Sequence, residues 1–381
     1  MKIVIRTYAG FEEILASEIQ NITGKKPEIA KRAVTIEGEN KEVYLINLWS
    51  RLAIDVLIPI IEFRAKNEDE LYKKTTQYSW EKHLTLHETF SINSIVHSPF
   101  FNHSKYVSLK IKDAIVDRFN RKENKRPNVD RENPDLRFVV RVTHDRTTIL
   151  WNTSGESLYK RGYRTKTGLA PINEILAAGI LTFSHWDATK PLVDPMCGSG
   201  TFLCEALMMA KNIPAGMNRN EFGFIKHNSY DHNLWIKIKA EAEEKINKTA
   251  PTLFGYDNEE ISISNTKHNL NNIDSSFNCT VEKIDFFKSE KPVENGMMIM
   301  NPPYNIRIQQ DKILEFYNDI GTRLKHHWSD FDAWVFSGDL QALKRIGLRP
   351  KRRISLFNGS IESKLVHLPL YMGSKRKGPQ N

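Results

Sequence analysis

Pro191-Leu192-Val193-Asp194-Pro195-Met196-Cys197-Gly198-Ser199-Gly200-Thr201 passes from a short apolar strand, through a glycine-rich turn, into a helix over Gly200–Lys211. Glycines at such a turn permit a tight reversal and let the backbone approach a ligand closely. The free N–H groups at the start of the helix suit an anionic group such as a carboxylate. The turn is not a phosphate loop, because no Gly-Lys-Ser or Gly-Lys-Thr comes after it. It is not Gly-x-Gly-x-x-Gly either, because Leu203 stands at the third position. Taken alone it reads equally well as a plain tight turn. Its meaning comes from the elements C-terminal to it. Strands at Leu253–Tyr256, Thr280–Ile284, Met297–Met300 and Asp332–Ser337 alternate with helices at Asn258–Asn272 and Asp311–His326. Ile354–Phe357 and Leu365–Tyr371 then form an antiparallel hairpin across Asn358-Gly359. The pattern is that of a doubly wound, mostly parallel α/β sheet closed by an antiparallel hairpin.

In such a sheet, ligands lie beyond the carboxyl ends of the strands. The second strand ends at Asp257-Asn258, where an acid can accept both hydroxyls of a ribose; either residue can equally cap the next helix. Beyond the third strand, Asp285 can accept the amino group of an adenine, with Phe286 over the ring, or can be a solvated turn acid. Three such positions after three successive strands carry more weight than any one of them.

Asn301-Pro302-Pro303-Tyr304 comes directly after the apolar strand Met297–Met300. Adjacent prolines lock φ and donate no backbone hydrogen bonds, so they hold the Asn301 side chain and nearby carbonyls in a fixed array. The lone pair of an exocyclic base amine is delocalised into its ring, which makes it a poor nucleophile. The Asn301 oxygen and the Pro302 carbonyl can accept its two N–H bonds and aim the nitrogen. Tyr304 can stack on an extruded base, worth about 1–3 kcal/mol. The turn holds no cysteine, which excludes thiolate attack on a pyrimidine ring there. Cys204 and Cys279 read as core residues.

The N-terminal half reads as α+β. Strands are expected at Lys2–Arg6, Ala33–Glu37 and Asp55–Phe63. Helices are expected from Phe11 to Gly24, over Glu42–Leu52 and over Glu68–Gln77. After a strand at Phe90–Ser94, Ser104 caps a helix that carries Arg118, Arg121, Lys122, Lys125 and Arg126 toward its end. Leu136–Val142 and Thr147–Asn152 form a hairpin across Asp145-Arg146. Thr153–Ala170, rich in small and basic residues, reads as a linker, and Lys375-Arg376-Lys377 as a basic tail.

The chain of 381 residues has 55 Lys and Arg against 46 acids, a net +9, which favours a polyanionic partner. Its three cysteines form no CxxC pair and no zinc spacing, so neither a structural metal nor disulfides are expected. Without a signal peptide or an apolar run of about 18 residues, a cytoplasmic protein away from the membrane is expected.

These motifs resemble the class I S-adenosylmethionine-dependent amino-methyltransferases, through Asp194–Thr201, Asp257, Asp285 and Asn301–Tyr304. The front half resembles a THUMP RNA-binding domain preceded by a ferredoxin-like segment. The phrases 112–117, 126–131, 158–164 and 170–174 sharpen the likeness toward the bacterial 23S rRNA guanine-N2 methyltransferase family. The resemblance runs from about Lys2 to Tyr371. It implies S-adenosylmethionine on Asp194, Pro195, Met196, Cys197, Gly198, Ser199, Gly200, Thr201, Asp257, Asn258, Asp285 and Phe286. It implies catalysis by Asn301, Pro302, Pro303 and Tyr304, and no metal. It implies domains at 1–43 (ferredoxin-like), 44–155 (THUMP) and 156–381 (methyltransferase). The partner implied is 23S rRNA, free or in a precursor of the large subunit. RNA contacts are expected from Arg118, Arg121, Lys122, Lys125, Arg126, Arg161 and Arg164, against the alternatives of a solvated helix face and a packed linker. Some family members carry a second methyltransferase domain; nothing after residue 373 would supply one, so a single activity is expected. A tRNA guanine-N2 methyltransferase, a protein-glutamine methyltransferase and a non-catalytic assembly factor are the competing readings.

Overall fold

The computed structural model describes residues 1–168, 171–248, 251–277, 279–304 and 310–372. Ala170 and the basic tail at Lys375–Lys377 lie outside them. By its internal contacts the chain divides into two units. The first comprises Met1–Tyr8, Leu15–Lys160 and Arg219–Glu241. The second comprises Ala9–Ile14, Arg161–Asn218 and Ala242–Asn381.

The N-terminal elements are β1 (Lys2–Arg6), α1 (Glu12–Thr23), β2 (Glu28–Ala30), β3 (Ala33–Glu37), α2 (Asn40–Trp49), β4 (Asp55–Arg64), α3 (Glu68–Gln77), β5 (Phe90–His97), α4 (Ser104–Glu123), β6 (Leu136–Thr143) and β7 (Arg146–Asn152). Their strands make one sheet in the order β2-β3-β1-β4-β7-β6-β5. Only β5 and β6 run parallel in it. Helix α3 starts where it does because the Asn67 side chain accepts from the Glu70 amide at 2.9 Å, with three acids in its first turn complementing the helix dipole. Ser104 does not cap α4: the cap position is His103, without a side-chain bond, and Ser104 is already helical. The β6–β7 turn is His144-Asp145, and Arg146 opens β7.

The second unit holds α5 (Glu174–Phe183), β8 (Leu192–Asp194), α6 (Thr201–Ala210), β9 (Leu253–Asp257), α8 (Glu260–Ile273), β10 (Thr280–Lys283), β11 (Gly296–Met300), α9 (Gln310–His327), β12 (Phe331–Ser337), α10 (Ala342–Arg345), β13 (Arg352–Asn358) and β14 (Ile361–Pro369); α7 (His232–Glu244), between α6 and β9 in the chain, belongs to the first unit as far as Glu241. The strand order is β10-β9-β8-β11-β12-β14-β13. The first five strands are parallel, and β14 runs antiparallel between β12 and β13. The expected fold class holds. The order reverses at β8, which is where a doubly wound sheet opens its ligand crevice.

The linker expected over Thr153–Ala170 is not loose at its described end. Arg161 and Tyr163 are each 1 % exposed. The Arg161 guanidinium pairs with Glu205 of α6 at 3.5 Å, and the Tyr163 hydroxyl donates to the same carboxylate oxygen at 3.1 Å. Removing one member of such a pair leaves a buried charge. Arg161→Ala is therefore expected to lower the urea-unfolding free energy by about 3–5 kcal/mol. Arg161→Met combined with Glu205→Leu should recover most of that loss. Equal losses in the single and the paired variant would show that shape, not charge, matters there.

Candidate active site and cofactor cradle

The turn after β8 is built on two left-handed glycines, Gly198 at φ +56° and Gly200 at φ +78°. A Cβ on Gly200 would sit 2.6 Å from the Thr266 methyl, so only glycine fits. A Cβ on Gly198 would meet nothing within 4 Å, so that side of the turn is open to a ligand. The backbone is tethered on its other side. Asp257 Oδ2 accepts from the Gly198 amide at 2.9 Å, and its Oδ1 accepts from the Glu259 amide at 3.0 Å. Thr266 donates its hydroxyl to the Gly198 carbonyl at 2.9 Å, and Asn269 donates to the Ser199 carbonyl at 3.0 Å. Thr266, Asn269 and Asn272 lie three apart on one face of α8, and Asn272 donates to the Tyr163 carbonyl at 2.9 Å. None of the three is legible in the sequence as a site residue.

Asp257 thus braces the loop that it was expected to serve beside. The helix cap is Glu259, and Asn258 is exposed. Asp285 caps the short 3-10 turn after β10 by accepting from the Phe287 amide at 3.0 Å. The Phe286 ring is 3 % exposed and lies 6.3 Å from that of Trp328 in the core. Ile284 and Phe287 beside it are half-buried.

Burial without a cationic partner pushes the Asp194 carboxyl up to about 8, against the pull of a bond from the Met196 amide; Asp257 nearby pushes it further. Pro195 and Cys197 are buried, Met196 is half-buried, and the buried Ser199 hydroxyl has no partner among the described residues. Thr201 opens α6, and its hydroxyl accepts from Arg164 Nη2 at 2.8 Å. Arg164 also donates to the Ile172 carbonyl at 2.9 Å and pairs with Glu174 at 3.2 Å. Burial raises that Glu174 carboxyl to about 7, with Arg164 opposing.

The second face of the site is the turn after β11. Every residue of β11 is buried, so the chain leaves the core only at Asn301. In register, Val193 of β8 faces Met298 of β11, which places Asn301 about 7 Å further along the sheet than Asp194. Asn301 is half-buried, and its Oδ1 has no hydrogen-bond partner among the described residues. Pro302 is buried and Pro303 exposed. The Tyr317 hydroxyl, 2.7 Å from Ser337 Oγ, reaches within 3.5 Å of the Pro303 carbonyl. Tyr304 accepts from Asn358 Nδ2 at 2.7 Å, and its ring lies so close to Gly338 that a Cβ there would be 2.7 Å from Cε2.

The residues expected to meet RNA do not form one group. Arg161 and Arg164 are held by Glu205 and Glu174, with side chains 1 % and 11 % exposed, so neither guanidinium is free for a phosphate. In α4, Arg118 is likewise committed, to Glu81 at 3.0 Å and to the carbonyls of Thr76 and Gln77. Lys122 shares Glu81 at 3.2 Å, while Arg121, Lys125 and Arg126 are exposed.

The raised carboxyls carry a pH signature. An acid whose folded value exceeds its unfolded value holds its proton more tightly in the folded chain. Its contribution is complete below the ordinary carboxylate range and is lost as pH rises through about 7 for Glu174 and about 8 for Asp194. Asp194→Asn should therefore gain in unfolding free energy relative to the parent as pH is raised from about 5 to about 9. Parallel urea curves across that range would show that Asp194 titrates as an ordinary acid.

Comparison with known proteins agrees with this geometry. A model of the RMKL-like methyltransferase domain matches residues 161–367, one of the THUMP domain matches 65–152, and one of the RlmL ferredoxin-like domain matches 2–57. A Synechocystis protein described as "Putative RNA methyltransferase slr0064" is 36 % identical over 367 residues, covering 95 % of each chain. The ribosomal RNA large subunit methyltransferase K/L of Desulfotalea psychrophila is 34 % identical over 366 residues, which are 93 % of this chain and 51 % of that protein. The chain thus spans about half the length of the K/L relatives that it matches. The crystal structure of SMU.472, "a putative methyltransferase complexed with SAH", superposes with a TM-score of 0.86 at 26 % identity, covering 98 % of this chain and 99 % of that one. The chain belongs to the RMKL-like methyltransferase family, the class I S-adenosylmethionine-dependent methyltransferases that carry a THUMP domain.

Proposed function

We propose that this protein transfers a methyl group from S-adenosylmethionine to the exocyclic N2 amine of a guanosine in 23S rRNA. The observation that carries the reading is the buried Asn301 Oδ1, without a partner among the described residues, on a proline-stiffened turn at the end of β11, beside the glycine cradle after β8. A buried acceptor without a partner costs about 1–3 kcal/mol. An amine N–H is the partner that would satisfy it.

The cradle suits the cofactor. Its open side at Gly198 admits a ligand, the start of α6 supplies N–H groups for a carboxylate, and the Asp194 carboxyl offers an acceptor for an ammonium. S-adenosylmethionine, when bound, supplies a methyl group already activated on a sulfonium. The protein's own work is then positional. Asn301 Oδ1 and the Pro302 carbonyl accept the two amine hydrogens, localise the nitrogen lone pair and hold it in line for attack. The Tyr317 hydroxyl and Asn358 fix the turn at Pro303 and Tyr304, so the array is rigid before substrate arrives. The ribosomal RNA target is carried over from the K/L relatives, and the THUMP match supports an RNA substrate. The three free cysteines fit a protein acting in the cytoplasm.

Nucleoside mass spectrometry of 23S rRNA and tRNA, each incubated with protein and cofactor, tests the assignment. N2-methylguanosine is expected in 23S rRNA. The same product in tRNA alone, N6-methyladenosine, or methyl label in ribosomal protein would replace it. Asn301→Ala is expected to lose about 100-fold or more in kcat while retaining cofactor affinity in calorimetry. Full activity in that variant would remove Asn301 from the mechanism. Asp257→Ala should weaken cofactor binding by about tenfold through a slackened loop, since each lost charge-assisted bond is worth about 1.5–3 kcal/mol. Unchanged affinity would count against the bracing role.

A further inference from the structure

We propose that the edge strand β13 and the segment leading into it form a track for an RNA backbone that ends at the Asn301–Tyr304 turn. The inference rests on the RNA-methylating reading above and locates where that RNA lies on the second unit. Lys344, Arg345, Arg349, Lys351, Arg352 and Arg353 fall within ten consecutive positions that contain no acid. All six are exposed. Arg352 donates to the Phe183 carbonyl at 3.4 Å; the side chains of the other five make no hydrogen bond or ion pair among the described residues. Elsewhere in this unit Arg161, Arg164, Lys211 and Arg323 are committed to acids, and the exposed cations without a partner among the described residues, such as Lys267, Lys312 and Lys325, are scattered along the chain. This segment is where unopposed positive charge is concentrated, six cations in ten positions.

Its direction gives the charge a purpose. β13 is the outermost strand of the sheet, hydrogen-bonded only to β14 within it. Arg353, Ser355 and Phe357 alternate on its exposed side, while Leu356 between them is fully buried. Five residues beyond Arg353, about 17 Å along a strand, Asn358 donates to the Tyr304 hydroxyl at 2.7 Å. A backbone laid along Arg349, Lys351 and Arg353 would therefore be carried to the end of the strand, where Asn358, on its other face, holds the Asn301–Tyr304 turn. Phe357, 37 % exposed, lies on the way as a surface on which a flanking base can stack.

Edge strands also carry charge simply to prevent edge-to-edge pairing, and for that purpose either sign serves. Charge reversal therefore separates the two roles. The triple variant Arg349→Glu, Lys351→Glu, Arg353→Glu keeps a charged edge but repels phosphate. The triple swap Arg349→Lys, Lys351→Arg, Arg353→Lys keeps the sign. Each is compared with the parent by filter binding of a 23S rRNA transcript between about 50 and 200 mM KCl, by methyl-transfer kinetics, and by calorimetry with S-adenosylmethionine. In the reversal variant, the slope of log affinity against log salt should flatten by about 2–3, and KM for RNA should rise by about tenfold or more. Its cofactor affinity should stay within about twofold of the parent, and the swap should behave like the parent. An unchanged slope and KM in the reversal variant would overturn the track. So would an equal loss of cofactor binding, which marks a folding effect, or capture by anionic phospholipid vesicles with RNA binding intact. If the parent binds the transcript but methylates no RNA, the methyl-transfer reading fails, and the salt slopes still judge the track.

Discussion

The site depends on a backbone that must turn sharply at the end of a buried strand without leaving its polar groups unpaired. β8 is buried throughout, and the chain has to reverse into α6 within a few residues. Left-handed Gly198 and Gly200 make the reversal sterically possible, but they also turn amides and carbonyls away from any regular ladder. Asp257 takes the Gly198 amide, Thr266 the Gly198 carbonyl and Asn269 the Ser199 carbonyl. One carboxylate and one polar stripe on α8 therefore hold the inner side of the turn and leave its outer side for a ligand. Without that division the same peptide would collapse onto its own helix or open into solvent.

Beneath the loop lies a second constraint of opposite character. Arg161–Glu205 and Arg164–Glu174 are ion pairs in places where hydrocarbon would be no less stable. Their value is geometric. Arg164 ties Glu174, the Ile172 carbonyl and the Thr201 hydroxyl together, so the segment entering the unit is locked to the residue on which the cofactor loop ends. A leucine there would pack, but it would not specify which rotation of α6 places the loop under its tethers.

The strands and helices of the parallel sheet are legible because each is a short apolar run bounded by glycine, proline or an acid, and their ends lie within one or two residues of those expected. The motif turns are legible because glycine and proline restrict the backbone in ways that do not depend on context. Phe286 is less legible for the converse reason: an aromatic after a strand reads the same whether it faces a ligand or, as here, packs near Trp328. Whether Arg161 and Arg164 meet RNA or belong to a packed linker stays open in the sequence because their partners are distant in it. A signal does exist, since Glu205 interrupts the otherwise apolar Thr201–Ala210 and Glu174 heads the apolar run of α5. A lone acid in a helix buried on all sides demands a buried cation. Helix α5 itself escapes the sequence reading, although Asn173 caps it by accepting from the Ile175 amide at 2.9 Å. The division of the chain, which returns Arg219–Glu241 to the first unit, depends on tertiary contacts that local periodicity does not encode.

A related contrast, between what folding needs and what a ligand needs, explains why the Asn301–Tyr304 turn reads as a candidate site and not merely as a corner. A corner needs only the two prolines. Here the surrounding elements contribute more than a corner requires: α9 offers Tyr317, β12 leads into Gly338, and the β13 end supplies Asn358, all converging on Pro303 and Tyr304 while Asn301 Oδ1 stays unpaired among the described residues. Folding alone would favour the reverse, with the buried amide oxygen satisfied and the half-buried phenol left to water. An arrangement that uses its hydrogen bonds to orient the turn and leaves the buried acceptor without one among the described residues suits the donor that the proposed substrate would bring. Because Asn358 belongs to the strand that also carries Arg352 and Arg353, that orientation is joined by covalent chain to the most basic edge of the sheet. On the proposed reading, binding of a polyanion and placement of a base would be properties of one strand.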